Sequence, residues 1–230
     1  AFLLRERFRG WMLAAKVLAA VSIAIGLLWL SLGEYVRGLP TLDANRPIRW
    51  GVTFSQKFSR ELGLDWRENY RAVLDELAPQ RLRLVAYWDE IQPARDQFSF
   101  ADFDWQVAEA ARRRVPFVIA VGLKLSRWPE CHAPPWVRDL EPRAREAALA
   151  AYLSTVAERY RDRSGLIAWQ VENEPFLAFG ECPPRGAATL EREIQTVRAA
   201  DPAHPVMITD SGELGLWVRA ARYGDIFGTT

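Results

Sequence analysis

The chain has 230 residues, of which 50% are apolar and 26% are charged, and this composition is typical of a globular protein. Lys and Arg total 30 against 29 Asp and Glu, so the formal net charge is +1. This balance offers no basic surface for a polyanion, and we expect no nucleic-acid partner. The chain also carries 10 Trp residues, which indicates that some indole rings face a ligand as well as the core.

An apolar segment lies near the N-terminus. Basic residues stand at positions 5, 7, 9 and 16, and the stretch 11–32 is long enough to span a bilayer if Lys16 reaches the interface. We interpret residues 1–38 as a basic cytoplasmic tail and an uncleaved transmembrane signal anchor, with everything after Leu32 outside the cytoplasm in a single-pass topology. A cleaved signal peptide is the alternative, but no small-residue cleavage pattern follows Leu32.

A polar, proline-containing linker is predicted at residues 39–47, and strand-like and helix-like segments alternate through residues 48–230. Strands are predicted at 49–54, 81–88, 115–122, 166–173, 206–210 and 225–229. Helices are predicted from about Asp65, at 101–113, at 142–160, around Leu190 to Val197, and at 216–221. This alternation implies a parallel sheet covered by helices.

Two architectures fit this alternation, an open doubly wound sheet and a closed (β/α)8 TIM barrel. The first strand leads into Gly51–Gln56 without a G-x-G-x-x-G pattern, and the chain has no Walker-type phosphate loop. The longest and most aromatic loops follow strands, where a barrel carries its chemistry. We therefore predict an α/β fold of the TIM-barrel type. A full barrel takes about 250 residues, so we expect this chain to contain the barrel only to about its sixth strand. An open parallel sheet that ended at a sixth strand would have an unpaired edge, which also favours a barrel that continues.

The most informative stretch ends the fourth predicted strand with Glu172, Asn173, Glu174 and Pro175. Carboxylates are costly at the end of a buried strand, and the carboxyl ends of barrel strands carry catalytic residues. Asn-Glu-Pro at the end of the fourth strand resembles the clan A glycoside hydrolases, retaining barrel enzymes that include cellulase-like and β-galactosidase-like proteins. The resemblance extends over residues 48–230 and includes the second strand with its continuation at Tyr87–Pro93.

The resemblance implies hydrolysis of O-glycosidic bonds in an oligosaccharide or polysaccharide by a retaining double displacement. Glu174 would be the general acid/base, and Asn173 would hydrogen-bond the sugar hydroxyl next to the reacting carbon. A glycosidic oxygen is a poor leaving group until a carboxylic acid protonates it, while a second carboxylate attacks the anomeric carbon. In the family that nucleophile is a glutamate on the seventh strand, which would lie beyond residue 230, so the chain alone is expected to be inactive.

Further substrate-binding candidates lie on or after the second, third and fifth predicted strands: Arg83, Trp88, Lys124, Trp128 and Asp210. Arg83 is expected either to orient the nucleophile or to join a structural ion pair. The indole rings at positions 88 and 128 suit the C–H faces of sugars, although each also suits the core.

Glu172 is expected to be a barrel-interior carboxylate paired with Arg83 or Lys124, and His132 is expected at the surface. In a regular strand Asn173 and Glu174 would point to opposite faces, so the strand must end or bulge there if both are to reach a substrate.

Cys131 and Cys182 are the two cysteines, and both lie among prolines in predicted loops. In an oxidising compartment they would form a disulfide; two free thiols are the alternative.

The two histidines and the absence of clustered ligand spacing predict no zinc site, and the proposed reaction needs no cofactor. Two other functions stay open. The first is a membrane-anchored, non-catalytic carbohydrate-binding barrel, which would lack the glutamate on the seventh strand. The second is a metal-dependent sugar isomerase, which would lose activity on chelation.

Overall fold

The computed structural model describes residues 2–38, 47–182, 185–213 and 215–229. The chain divides into two compact units, Ala1–Ile48 and Arg49–Thr230. Of the predicted linker at residues 39–47, all but Pro47 lies outside the described residues.

The first unit contains helix α1, Phe2–Gly38. Its part Ala14–Gly38 has 25 residues and a mean hydropathy of 2.0, so it is long and apolar enough to cross a membrane. A signal sequence near an N-terminus has the same properties.

The described residues of the second unit form six strands and six further α-helices. The strands are β1 (Gly51–Phe54), β2 (Arg81–Tyr87), β3 (Phe117–Gly122), β4 (Leu166–Val171), β5 (Val206–Asp210) and β6 (Ile226–Thr229). The helices are α2 (Gln56–Glu61), α3 (Trp66–Glu76), α4 (Trp88–Ile91), α5 (Ala101–Arg112), α6 (Pro142–Tyr160) and α7 (Ala187–Ala200). Short 3-10 turns lie at Pro135–Val137 and Ala220–Arg222.

All six strands are parallel, and each pairs with its neighbour in the sequence, in the order β1 to β6. A doubly wound sheet would reverse its order at a switch point, whereas a barrel keeps the order of the chain. The strands curl into a partial barrel wall of the (β/α)8 type. The predicted fold class is therefore confirmed.

The two faces of the sheet carry different side chains. Leu84 and Ala86 on β2 belong to the large apolar cluster that the helices cover. Val85 and Tyr87, which alternate with them, form a separate small cluster with Ala120 on the other face. Arg83 shares this inner face because it lies two residues before Val85. The inner face is therefore where polar groups of the barrel collect.

Several element ends differ from the sequence-based expectation. Two short helices, α2 and α4, were not predicted because four to six residues give no helical periodicity. β2 stops at Tyr87, and Trp88 begins α4 instead of ending the strand. The helix predicted at 216–221 is replaced by the 3-10 turn at Ala220–Arg222. α6 begins at Pro142 as predicted, where proline costs no backbone hydrogen bond.

Candidate active site

The backbone that follows β4 departs from strand geometry at two positions. Glu172 has φ +60 and Glu174 has φ +46, both in the left-handed region that residues other than glycine rarely adopt. Because β4 ends at Val171, the alternation of side chains also ends there. Asn173 and Glu174 are thus freed from the strand rule that would place them on opposite faces. This is the ending or bulge that the sequence required.

Left-handed residues are concentrated at this edge of the sheet. Of the seven residues other than glycine with positive φ in the described chain, five lie in the loops after β3, β4 and β5: Arg127, Glu130, Glu172, Glu174 and Trp217. Such conformations cost roughly 1–3 kcal/mol each and cluster at functional sites. The observed strain therefore points to the carboxyl edge as the site.

The backbone of Glu174 is held on both sides. Its N–H donates to the Thr209 hydroxyl at 3.1 Å. Its carbonyl oxygen accepts from the Lys124 ammonium at 3.0 Å and from the Leu177 N–H at 3.0 Å. These bonds join the β4 loop to β5 and to the β3 loop, so three segments hold the backbone of Glu174 in place.

The Glu174 carboxyl group lies in surroundings that favour its protonated form. The residue is 8% exposed. Burial raises its pKa, the nearby Asp210 carboxylate raises it further, and the positive charges of Lys124 and Arg83 oppose the rise. A carboxylic acid whose pKa is raised in this way keeps its proton to higher pH, as a general acid requires.

Arg83 lies on the inner face beside the end of β4. Its Nη1 donates to Gln170 Oε1 at 3.1 Å and to Asn173 Oδ1 at 3.5 Å. Gln170 Nε2 in turn donates to Thr209 Oγ1 at 3.2 Å and to Asn173 Oδ1 at 3.3 Å. A single network therefore connects β2, β4 and β5 and orients the Asn173 side chain. In this network Arg83 donates hydrogen bonds to the neutral side-chain oxygens of Gln170 and Asn173. Its positive charge also lies close enough to Glu174 to lower the pKa of that residue.

Lys124 is 2% exposed. Its ammonium donates to the carbonyl oxygens of Glu174 and Leu177, each at 3.0 Å, and lies 3.6 Å from the Glu130 carboxylate. The structure thus places Lys124 next to Glu174, but with its donors directed at backbone oxygens. Burial raises the pKa of Glu130, while Lys124 lowers it.

Glu172 does not have the partners expected from the sequence. Its oxygens accept from the backbone N–H groups of Leu123 at 2.9 Å and of Lys124 at 2.5 Å. Its closest side-chain cation is Arg185, at 3.6 Å, which also forms an ion pair with Glu193. The expected pairing of Glu172 with the Arg83 or Lys124 side chain was wrong, because the left-handed turn directs Glu172 toward the β3 loop.

Asp210 ends β5 and is 7% exposed. One of its carboxylate oxygens accepts from the Ser211 N–H at 2.9 Å. A side chain at Gly215 would come within 2.7 Å of the same carboxylate, so the loop closes over it only because that position is a glycine. The carboxylate is close enough to Glu174 to raise the pKa of that residue.

The tryptophan candidates differ in their surroundings. Trp88 has no exposed surface, stacks on Tyr152 with ring centroids 5.5 Å apart and donates to Gln92. It therefore packs in the core and is not brought to the site. Trp128, in contrast, is 64% exposed and meets Phe179, which is 54% exposed, edge to face. This aromatic pair joins the β3 and β4 loops beside the site, and Phe179 carries no sequence signal that would have singled it out.

A second polar cluster at the same edge was missed from the sequence. Lys57 donates to Asp89 Oδ2 at 2.5 Å and contacts His132 Nδ1 at 3.2 Å, and the His132 ring packs against Tyr87. His132 is 1% exposed, so the expected surface position was wrong. Burial and the Lys57 charge lower the pKa of His132 to about 4, which keeps the ring neutral. Lys57 escaped notice because it belongs to the short helix α2.

Cys131 and Cys182 are brought together, and both are half-buried. The Cys182 thiol donates a hydrogen bond to the Cys131 sulfur, which lowers the pKa of Cys131 and raises that of Cys182. The two sulfurs are not bonded to each other. Within the described ranges, no three His, Cys, Asp or Glu side chains converge as ligands for a metal ion.

No protein-family model matches the chain. Solved structures with a similar fold include xylanase 10C of Cellvibrio japonicus in complex with xylopentaose (22% identity, TM-score 0.52, 70% of this chain and 34% of that chain). A GH5_18 protein of Streptomyces cattleya with bound Manb1-4GlcNAc is 19% identical, with TM-score 0.61, over 80% of this chain and 51% of that chain. A β-galactosidase of Rahnella sp. R3 is 11% identical, with TM-score 0.60, over 83% of this chain and 40% of that chain.

The chain thus spans between about a third and a half of the length of these structures. At these identities the likeness concerns the fold. The three proteins are clan A glycoside hydrolases, the group that the Asn-Glu-Pro pattern resembles. The chain therefore shares the barrel fold of these three proteins.

Proposed function

We propose that the protein hydrolyses O-glycosidic bonds of an oligosaccharide or polysaccharide with retention of configuration, and that Glu174 is its general acid/base. The observation that carries this proposal is a buried carboxyl group with a raised pKa, fixed through its backbone at the mouth of a barrel. The fold and the carbohydrate ligands of the similar structures support it.

In the first step, Glu174 donates its proton to the glycosidic oxygen while a carboxylate attacks the anomeric carbon from about 5 to 5.5 Å away and forms a glycosyl-enzyme ester. The glycosidic oxygen takes up this proton and leaves with the departing sugar as a hydroxyl group. In the second step Glu174, now ionised, removes a proton from water. The water oxygen attacks the anomeric carbon, and the ester bond breaks to release the nucleophile as a carboxylate. The nucleophile is proposed to be a glutamate beyond residue 230.

The remaining candidates have supporting roles. Asn173 binds the sugar hydroxyl next to the reacting carbon, and Arg83 keeps Asn173 in place through their hydrogen bond at 3.5 Å. Trp128 stacks on a sugar ring at the rim of the groove, as its exposure allows. Asp210 contacts substrate and holds up the pKa of Glu174. Lys124 acts through the Glu174 backbone.

We further propose that α1 anchors the protein as a single-pass membrane protein with the barrel outside the cytoplasm. The basic residues before the apolar segment support this orientation. The intact mass of the membrane-extracted protein tests the anchor, because a cleaved signal sequence would remove the apolar helix. Protease added to intact spheroplasts would digest the barrel only if it lies outside.

The catalytic proposal is tested with Glu174→Gln in the complete gene product, assayed on a series of aryl glycosides. For poor leaving groups we expect kcat/KM to fall by about 10²–10⁴-fold, because the glutamine cannot donate a proton. For a strongly acidic phenol the loss should be much smaller. Glu181→Gln, an exposed residue of the same loop, is the matched control and should retain activity.

Equal activity of Glu174→Gln and wild type on poor leaving groups would refute the role of Glu174. A wild-type protein that binds oligosaccharides but turns over none would instead establish the non-catalytic binding barrel. Loss of activity with chelator would favour the metal-dependent alternative.

A further inference from the structure

The loops after β3 and β4 contact each other through their backbones beside the candidate site. The Glu181 N–H donates to the Pro129 carbonyl oxygen at 3.0 Å. Gly180, with φ +78, lies so close that an added side chain would come within 2.6 Å of the same oxygen and 2.7 Å of the Glu130 side chain. Cys131 directly follows Glu130, and Cys182 directly follows Glu181. Their proximity is therefore enforced by the backbone of both loops.

The Cys131 sulfur lies at a cavity through which a reagent can approach it. A cavity of about 280 Å³ is lined by Leu123, Cys131, Ala133, Arg138, Arg145 and Glu181, among others. The hydrogen bond from the Cys182 thiol lowers the pKa of Cys131, and the Arg185 charge lowers it further, which favours the thiolate form of Cys131. Cys131 is thus the nucleophilic member of the pair.

We propose that Cys131 and Cys182 form an intramolecular disulfide in an oxidising compartment, and that this bond fixes the loop of Glu174 to the loop of Lys124 and Glu130. Formation of the bond does not rest on the proposed hydrolase activity. Its consequence does concern the site, since Lys124 binds the Glu174 carbonyl oxygen across the same pair of loops.

The oxidant is a disulfide, either of a protein thiol oxidase or of oxidised glutathione. The Cys131 thiolate attacks one sulfur of that disulfide and forms a mixed disulfide with it. The other sulfur of the oxidant leaves as a thiolate. The Cys182 thiol loses its proton, and its thiolate attacks the Cys131 sulfur and releases the second thiolate of the oxidant. Two cysteine thiols are oxidised, two electrons pass to the oxidant, and the two protons go to the thiolates released.

The full chain, purified in detergent, is incubated with oxidised glutathione, denatured and alkylated with iodoacetamide before its intact mass is measured. We expect no alkylated thiol without reductant and two after reduction. Proteolysis without reductant should yield one peptide pair that contains both cysteines. Cys182→Ser is the control and must show no such pair. Two alkylated thiols, stable mixed disulfides with glutathione, or disulfide-linked dimers would each overturn the proposal.

The effect on the loops is measured by hydrogen exchange with and without reductant. In wild type, reduction should accelerate amide exchange in residues 175–182 and lower Tm by roughly 5 to 15 °C, whereas a Cys131→Ser, Cys182→Ser double variant should not respond to reductant. A disulfide whose reduction leaves exchange in both loops unchanged would contradict the claim that it fixes them. Neither readout uses glycoside turnover, so these outcomes are independent of the hydrolase assay.

Discussion

Leu84, Ile119 and Trp169 face the helices with no exposed surface, in regular strands that pair along their length. In the loops that follow β3 and β4, Glu130 and Glu174 are buried as charged or protonatable groups on left-handed backbone. The first region follows every local preference of a parallel sheet. The second departs from two of them, the burial of apolar groups and the avoidance of positive φ.

The two regions therefore contribute differently to the free energy of unfolding. Apolar burial under the helices supplies stability, at about 25 cal/mol per Å² removed from water. The carboxyl edge lowers stability through strain and desolvation, and it persists because hydrogen bonds and the surrounding fold determine it. Substitutions in the first region should therefore mainly lower stability, and those in the second should mainly alter binding or catalysis.

The largest expected effect separates two tryptophans. Trp88→Ala should lower the free energy of unfolding by about 3–5 kcal/mol, because it empties a fully buried site. Trp128→Ala should change it by no more than about 0.5 kcal/mol, because that ring is exposed. Urea unfolding measures both. Equal destabilisation by the two variants would break the distinction between core and edge.

A second prediction concerns a charged residue of the edge that should behave like a core residue. Glu172→Gln should cost about 2–4 kcal/mol, because its amide donor would face the Lys124 N–H and would leave Arg185 with less compensating charge. Glu181→Gln, which is exposed, should be nearly neutral. Thermal unfolding of both variants at neutral pH provides the measurement, and a neutral Glu172→Gln would show that this carboxylate is not needed to hold the β3 loop.

A smaller effect is expected at the contact between the loops. Gly180→Ala should lower the free energy of unfolding by about 1–2 kcal/mol, because it adds a Cβ at positive φ and within 2.6 Å of the Pro129 carbonyl oxygen. Urea unfolding tests this. An unchanged midpoint would mean that the two loops separate easily and that the edge is less tightly built than its contacts indicate.

The smallest effect is a pH dependence. Burial raises the pKa of Glu174 in the folded state, so the folded protein binds this proton more tightly than the unfolded chain does. The stability that this group contributes is complete below its unfolded pKa of about 4.3 and is lost as pH rises through the folded pKa. Glu174→Gln has no proton to lose, so we expect it to gain stability over wild type between about pH 4 and pH 7.

Parallel urea titrations at several pH values would measure this difference. The pKa of Glu130 is also raised, by burial and by the Glu174 charge, so the titrations include Glu130→Gln and the double variant to separate the two groups. A raised pKa for Glu174 would be contradicted if Glu174→Gln were less stable than wild type by the same amount at pH 7 and at pH 4.

The sequence predicted the first of the two regions well and the second only in part. Strand and helix periodicity identified all six strands, and β5 was predicted with its exact limits at Val206–Asp210. These patterns are local, and burial enforces them. Asn173 and Glu174 could be found because a polar run at the end of an apolar strand is also a local signal.

The contacts of the site could not be predicted, because they depend on residues far apart in the chain. The Glu172 partner Arg185 follows a long loop, and the Lys124 bond to the Glu174 carbonyl oxygen joins two loops. Trp88 had the right sequence position for a sugar contact, yet a helix begins at this residue and turns its ring into the core. A left-handed turn at Glu172 has no signature in the residue type.

The left-handed backbone at Glu174 matters for directed evolution of this protein. Glycine adopts this conformation at little cost, so a library screened for heat resistance alone would enrich replacements that relax this position. Such clones would express well and melt late, but the carboxyl group of Glu174 would be gone. A screen of this protein should therefore couple survival to turnover from its first round.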